Sequence, residues 1–251
     1  MLFDVEAYIL KLKHYDLTLS NLEYRNVNPE DIKSFRIHSA NMLDDETRDN
    51  LDSYLIAKSE ITVSHFLQDK HYIPRLLISA LVFLLVYFFL SLVVRDPIPM
   101  LDELIAALLL SVLTFLGMSK RDIRLARESK LMYDIRKELA NSELIQEDYL
   151  NSIEEYIYEI SSKYSILEIS DILSKTDELT QLEDVSFTLP EAFIQIMKSY
   201  LHKTNKALDY YLKQVKDCKK RDEKLSARLV RSATNDSLDL YLLAFLFKAG
   251  F

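Results

Sequence analysis

The acidic pair Asp102 and Glu103 stands directly before the uncharged run Leu104 to Met118. Carboxylates in this position could meet a cation, because rings of acids from several subunits select cations at channel mouths. At ~100° per residue, a helix places small and polar side chains on the face of Glu103. Those side chains are Ala107, Ser111, Thr114 and Gly117. Two interpretations are open for this stripe of four residues: it lines a pore, or it packs against another helix while the acids are hydrated.

The other residues that could do chemistry form no familiar motif. The five histidines are scattered singly, and neither Glu-x-x-His nor His-Glu-x-x-His occurs. The two glycines, Gly117 and Gly250, do not make a phosphate-binding loop. The single cysteine, Cys218, lacks the partners that a metal site needs. We therefore predict a protein that is not an enzyme and holds no metal and no cofactor.

The composition favours helices. Only two glycines in 251 residues argue against sandwiches and barrels, which are rich in tight turns. The segment before the first apolar run, residues 1–72, carries thirteen acids and eight bases, a net charge of −5, which does not fit a nucleic-acid-binding arm. The sequence predicts an all-α fold without nucleic acid as a partner.

A first membrane span is predicted between Leu76 and Val94. These nineteen residues carry no charge, and fifteen of them are Leu, Ile, Val or Phe. At ~1.5 Å per residue they reach ~28 Å, close to the ~30 Å hydrocarbon core. A buried core helix is a poorer interpretation, because core helices are seldom apolar on every face.

A second span is predicted between Leu101 and Met118, although its uncharged part has only fifteen residues. A re-entrant or interfacial segment is the alternative. Basic residues flank the two runs, whereas the connection holds Arg95 with three acids. This asymmetry predicts that both termini are cytoplasmic; in a bacterium, the membrane would be the inner or plasma membrane. The flanking bases are Lys70, Arg75, Lys120, Arg121, Arg124, Arg127 and Lys130. Of these, Lys120, Arg121, Arg124 and Arg127 could contact anionic headgroups, although the positive-inside bias alone is sufficient to explain them.

Three regions follow from this pattern. Residues 1–72 are predicted as an N-terminal cytoplasmic helical region, with a helix beginning at Asn28 and Pro29. Residues 73–119 are predicted as a transmembrane hairpin, with spans at about 76–94 and 101–118 and an outer loop at 95–100. Residues 120–251 are predicted as a C-terminal cytoplasmic helical bundle or coiled-coil region.

A heptad-like pattern runs through the C-terminal region. It could be the seam of a self-associating coiled coil, or it could pack inside one chain as part of a bundle. The last apolar run, 240–247, is too short to span a membrane and is expected to dock internally. The candidate self-association seam consists of Met197, Leu201, Leu208, Tyr211, Val215, Leu225 and Leu229.

The sequence thus predicts an integral membrane protein that anchors a cytoplasmic scaffold or regulatory unit. Its expected partners are the lipid bilayer and either further copies of itself or a cytoplasmic protein. The alternative is an oligomeric cation channel, with an acidic ring of Asp102 and Glu103 at the outer end of the second span.

Overall fold

The computed structural model describes residues 2–13, 15–23, 27–93, 101–174, 179, 181–218 and 239–251. For 93, 174 and 215–218 it describes the backbone alone. The secondary-structure elements follow in the order β1 (Phe3–Lys11), β2 (Asp16–Ser20), a 3₁₀ turn (Pro29–Asp31), β3 (Ile32–Ser39), α1 (Asp45–Lys70), α2 (Tyr72–Val93), α3 (Leu101–Arg127), α4 (Lys130–Ala140), β4 (Glu143–Gln146), α5 (Asp148–Lys163), α6 (Ile166–Ser174), α7 (Glu191–Cys218) and α8 (Leu240–Lys248).

The chain divides into two compact units built from interleaved segments. Unit one holds Met1–Val5, Leu22–Ser34 and Asp49–Ser142, which include α2 and α3. Unit two holds Glu6–Asn21, Phe35–Arg48 and Glu143–Phe251.

The prediction of an all-α fold is wrong, because β1, β2 and β3 form before the apolar helices and β4 forms after them. A four-stranded mixed sheet has the order β2-β1-β3-β4, with β1 antiparallel to β2 and β3 parallel to β4. The apolar residues Val5, Tyr8, Ile9 and Leu12 recur at helical spacing, which explains the error. In β1, however, side chains of both faces are buried, so its apolar run belongs to an inner strand.

The predicted helix start at Asn28 proves to be a single turn. Asn28 Oδ1 accepts a hydrogen bond from Glu30 N at 3.2 Å, and Pro29 follows as expected. The chain then becomes extended at Ile32 and enters β3, where Phe35 and Ile37 are buried. The alternating apolar residues of β3 therefore prevail over the local capping signal.

The prediction of a mostly helical protein is confirmed, because helices make up most of the described chain. The apolar stripe of α5 is buried at Leu150, Ile153 and Ile157. The short α8 is capped by Asp239, and its residues 242–246 have no exposed surface, so the expected internal docking is confirmed. Both helices belong to the hydrophobic core of unit two.

Candidate functional site

Two helices of unit one expose apolar surface over most of their length. Within Tyr72–Leu92 and Leu101–Ala140, an apolar window of 18 residues has a mean hydropathy of 2.3 and 1.9, yet only 11% and 6% of the residues in these two windows are buried. Leu85, Phe89 and Leu113 are each more than 60% exposed. By length and composition both helices could cross a membrane. A core helix of a soluble protein would instead bury such residues.

These two helices, α2 and α3, form an antiparallel hairpin. Ser111 Oγ donates to the backbone oxygen of Ser79 at 2.8 Å. Nearer the connection, Ser91 Oγ donates to Glu103 Oε2 at 2.8 Å. Each bond satisfies a polar group that lies between apolar neighbours.

The predicted stripe divides between two environments. Ala107 is fully buried and Ser111 bonds α2, so these two lie where the helices approach each other. Thr114 Oγ1 donates to Leu110 O of its own helix at 2.8 Å. Gly117 is exposed, and a Cβ built on it would meet nothing within 4 Å. The packing interpretation therefore accounts for Ala107 and Ser111, but not for Gly117.

The acids at the end of the hairpin also differ from each other. Glu103 is half-buried and accepts the hydrogen bond from Ser91, whereas Asp102 is exposed. The predicted outer loop at 95–100 lies outside the described residues. Within one chain, Glu103 thus belongs to the contact between α2 and α3.

The opposite end of the hairpin contains a buried arginine. Arg75 is 3% exposed, its Nε lies 3.5 Å from Asp122 Oδ2, and its guanidinium lies 5.3 Å from the Phe115 ring centroid. It also donates to the backbone oxygens of His71, at 3.3 Å, and Gln68. These contacts compensate the cost of burying a charge. The sequence offered one signal for the pair, because Asp122 is a lone acid among bases.

The predicted headgroup contacts are all exposed side chains on the last turns of α3. They are Lys120, Arg121, Arg124 and Arg127. Arg127 Nε lies 2.9 Å from Glu60 Oε2, and Arg136 Nη2 lies 3.1 Å from Glu60 Oε1. Glu60 therefore neutralises part of this basic surface.

The described part of the candidate self-association seam is enclosed within unit two. Met197, Leu208 and Tyr211 are at most 2% exposed, and Leu201 is half-buried against the same core. The Tyr211 hydroxyl lies 2.8 Å from Ser170 Oγ of α6. The side chains of Val215, Leu225 and Leu229 lie outside the described residues. Of the two interpretations of the heptad pattern, this burial favours packing inside one chain.

Unit two also holds a cluster that the sequence gave no signal for. The His38 ring lies between two carboxylates, with Nε2 against Glu6 Oε2 and Nδ1 3.1 Å from Glu147 Oε1. Tyr8 stacks on the imidazole, with ring centroids 4.5 Å apart and planes 15° from parallel. The cluster is largely enclosed, since the His38 side chain is 10% exposed.

This cluster provides no convergent ligand set for a metal ion. Burial, with help from Glu6, raises the pKa of the Tyr8 hydroxyl from 10.0 to about 12. The two carboxylates approach opposite edges of the ring, and no group of three metal-binding side chains occurs among the described residues.

No protein-family model matches the chain, and no curated protein or solved structure matches it either. The contacts, burial and charges of this chain therefore carry its functional interpretation.

Proposed function

We propose that the chain is a two-pass membrane protein that anchors a folded helix-and-sheet unit at one face of a bilayer. The observation that carries the proposal is the exposed apolar surface of α2 and α3, whose 18-residue apolar windows have only 11% and 6% of their residues buried. Exposed to water, each such side chain forgoes about 1.5–3 kcal/mol of burial free energy. A bilayer would supply the apolar surroundings that these helices lack.

The lengths of both helices suit this role. α2 has 22 residues and α3 has 27, which correspond to ~33 and ~40 Å of helix. The uncharged part of α3 is shorter than a bilayer, but Lys120 and Arg121 can extend their long side chains toward the headgroups. Both helices can therefore cross the ~30 Å hydrocarbon core.

The strand pairing supports an even number of crossings. β3 precedes both apolar helices and β4 follows them, yet Arg36 pairs with Glu143 and Ser39 with Gln146. Paired strands must lie on the same side of a membrane. A hairpin that crosses and returns meets this requirement, and the bases that flank it favour the cytoplasmic side.

The anchored unit has properties of a scaffold or regulatory unit. The cluster around His38 is occupied by internal hydrogen bonds with Glu6 and Glu147. The surface of the unit exposes large apolar side chains, with Tyr158 69%, Tyr210 60% and Leu167 48% exposed. Exposed aromatic residues are typical anchors of protein interfaces. We infer that this unit binds a cytoplasmic protein or another copy of the chain.

Membrane extraction and cysteine labelling test the proposal together. The single Cys218 allows a Cys218→Ser background, in which one new cysteine at a time is added. We expect the protein to resist alkaline carbonate extraction. In intact cells, an impermeant maleimide should label Asp102→Cys but not Tyr158→Cys, and both should react after permeabilisation.

Two results would contradict the proposal. Release of the protein by carbonate would overturn the membrane assignment. Equal labelling of both positions in intact cells would overturn the two-pass arrangement.

A further inference from the structure

A groove of about 760 Å³ lies at the charged end of the hairpin, within unit one. One wall is a face of α1, and the other is the face of α3 just beyond its apolar run. The lining residues that matter here are Glu60, Ile61, Ser64, Lys120, Arg124 and Arg127. Its volume is in the range of small-molecule sites.

The groove is basic after its internal ion pairs are formed. Its one carboxylate, Glu60, is shared by Arg127 and by Arg136 outside the groove. Lys120 and Arg124 are exposed, and neither forms an ion pair with another described residue. Two cations therefore remain available to an anion.

Polar and apolar features are combined in the same groove. Ser64 Oγ accepts a hydrogen bond from Gln68 Nε2 at 3.2 Å, so its own hydroxyl hydrogen can be donated. Ile61 and Ile123 line the groove and are 58% and 48% exposed. Lys120 follows the end of the apolar run at Met118 by two residues. The groove thus offers cations and a hydroxyl beside apolar surface, at the depth of the lipid headgroups.

We propose that this groove binds the phosphate headgroup of an anionic phospholipid. Lys120 and Arg124 contact the phosphate oxygens, Ser64 donates a hydrogen bond, and the glycerol and first methylenes lie against Ile61 and Ile123. The inference rests on the proposed membrane insertion of α2 and α3. It goes beyond the general attraction of bases to lipid, because α1 supplies half of the site.

Spin-labelled lipids test the groove in the full chain reconstituted in phosphatidylcholine vesicles. The measurement is the fraction of immobilised phosphatidylglycerol relative to immobilised phosphatidylcholine. Arg124→Gln should lower this preference about fivefold. Arg121→Gln is the matched control, since Arg121 is exposed at the same depth but does not line the groove. We expect Arg121→Gln to lower the preference less than Arg124→Gln does, because Arg121 contributes only the general attraction of a base to an anionic surface.

The α1 wall provides a second, independent variant. Ser64→Asp places a carboxylate in the groove and should abolish the preference, while Ser53→Asp, at an exposed position of the same helix outside the groove, should not. Soluble glycerol phosphate should not displace the spin-labelled lipid, because it lacks the acyl chains.

Three results would overturn the inference: no preference in the unaltered protein, equal losses in Arg121→Gln and Arg124→Gln, or displacement by glycerol phosphate. If the protein resists carbonate extraction but shows one of these results, only the lipid-binding proposal for the groove fails. If carbonate releases the protein, both the membrane assignment and the lipid-binding proposal fail.

Discussion

Individual side chains in this protein are stabilised by partners from distant parts of the chain. Glu6, His38 and Glu147 come from β1, β3 and the residue before α5. No spacing in the sequence brings them together, because strand pairing decides which of them meet. The pair of Arg75 and Asp122 arises in the same way, from the pairing of α2 with α3.

The raised pKa of the buried Tyr8 hydroxyl predicts that the free energy of unfolding falls in alkali. An unfolded tyrosine loses its proton near pH 10, whereas the pKa of folded Tyr8 is raised to about 12. Between these values the folded state binds more protons, so the free energy of unfolding falls as pH rises, by up to about 1.4 kcal/mol per pH unit. Below pH 10 this contribution is fully present.

Denaturant unfolding of the detergent-solubilised protein at several pH values measures this slope. Tyr8→Phe should make the slope shallower across this window. Tyr158→Phe removes an exposed hydroxyl and serves as the control. Equal slopes in the unaltered protein and Tyr8→Phe would contradict the assignment.

The ion pair between Arg75 and Asp122 predicts that substitutions at the two positions have non-additive effects on the free energy of unfolding. Arg75→Met leaves the Asp122 carboxylate, which is 14% exposed, without its guanidinium and, among the described residues, with only His71 Nδ1 beside it, 3.5 Å from Oδ1. This should cost about 3–5 kcal/mol of unfolding free energy. Adding Asp122→Leu removes that buried charge and should recover most of the loss. Thermal unfolding of both single variants and the double variant gives the coupling energy. Additive losses would show that the two side chains do not act as a pair.

At the scale of the elements, apolar periodicity predicted most helices and failed for the sheet. α2 and α3 were predictable because their uncharged runs are long, and the internal docking of α8 was predictable because its apolar run is too short to span a membrane. β1 was missed because one apolar set satisfies both helical spacing and a strand buried on both faces. β4 has only four residues, and its pairing partner lies more than one hundred residues earlier in the chain, at Arg36–Ser39.

The contact between α2 and α3 predicts opposite effects at two small residues. Ala107 is fully buried, so Ala107→Leu should force the helices apart and cost about 1–3 kcal/mol. Gly117→Leu adds more volume on the same helix, but at an open position. It should leave the unfolding free energy unchanged or increase it. Thermal unfolding in detergent compares them, and a larger loss at Gly117 would contradict this placement of the helices.

For the whole molecule, the open question is whether several hairpins surround a pore. The observed contacts use Glu103, Ala107 and Ser111 within one chain, which supports an anchor. We therefore expect vesicles that contain the purified protein to show no cation flux above that of protein-free vesicles. Imaging in nanodiscs should show no symmetric ring with Glu103 toward its axis. A ring of four or more chains, with a cation flux that Glu103→Gln abolishes, would replace the anchor with a channel.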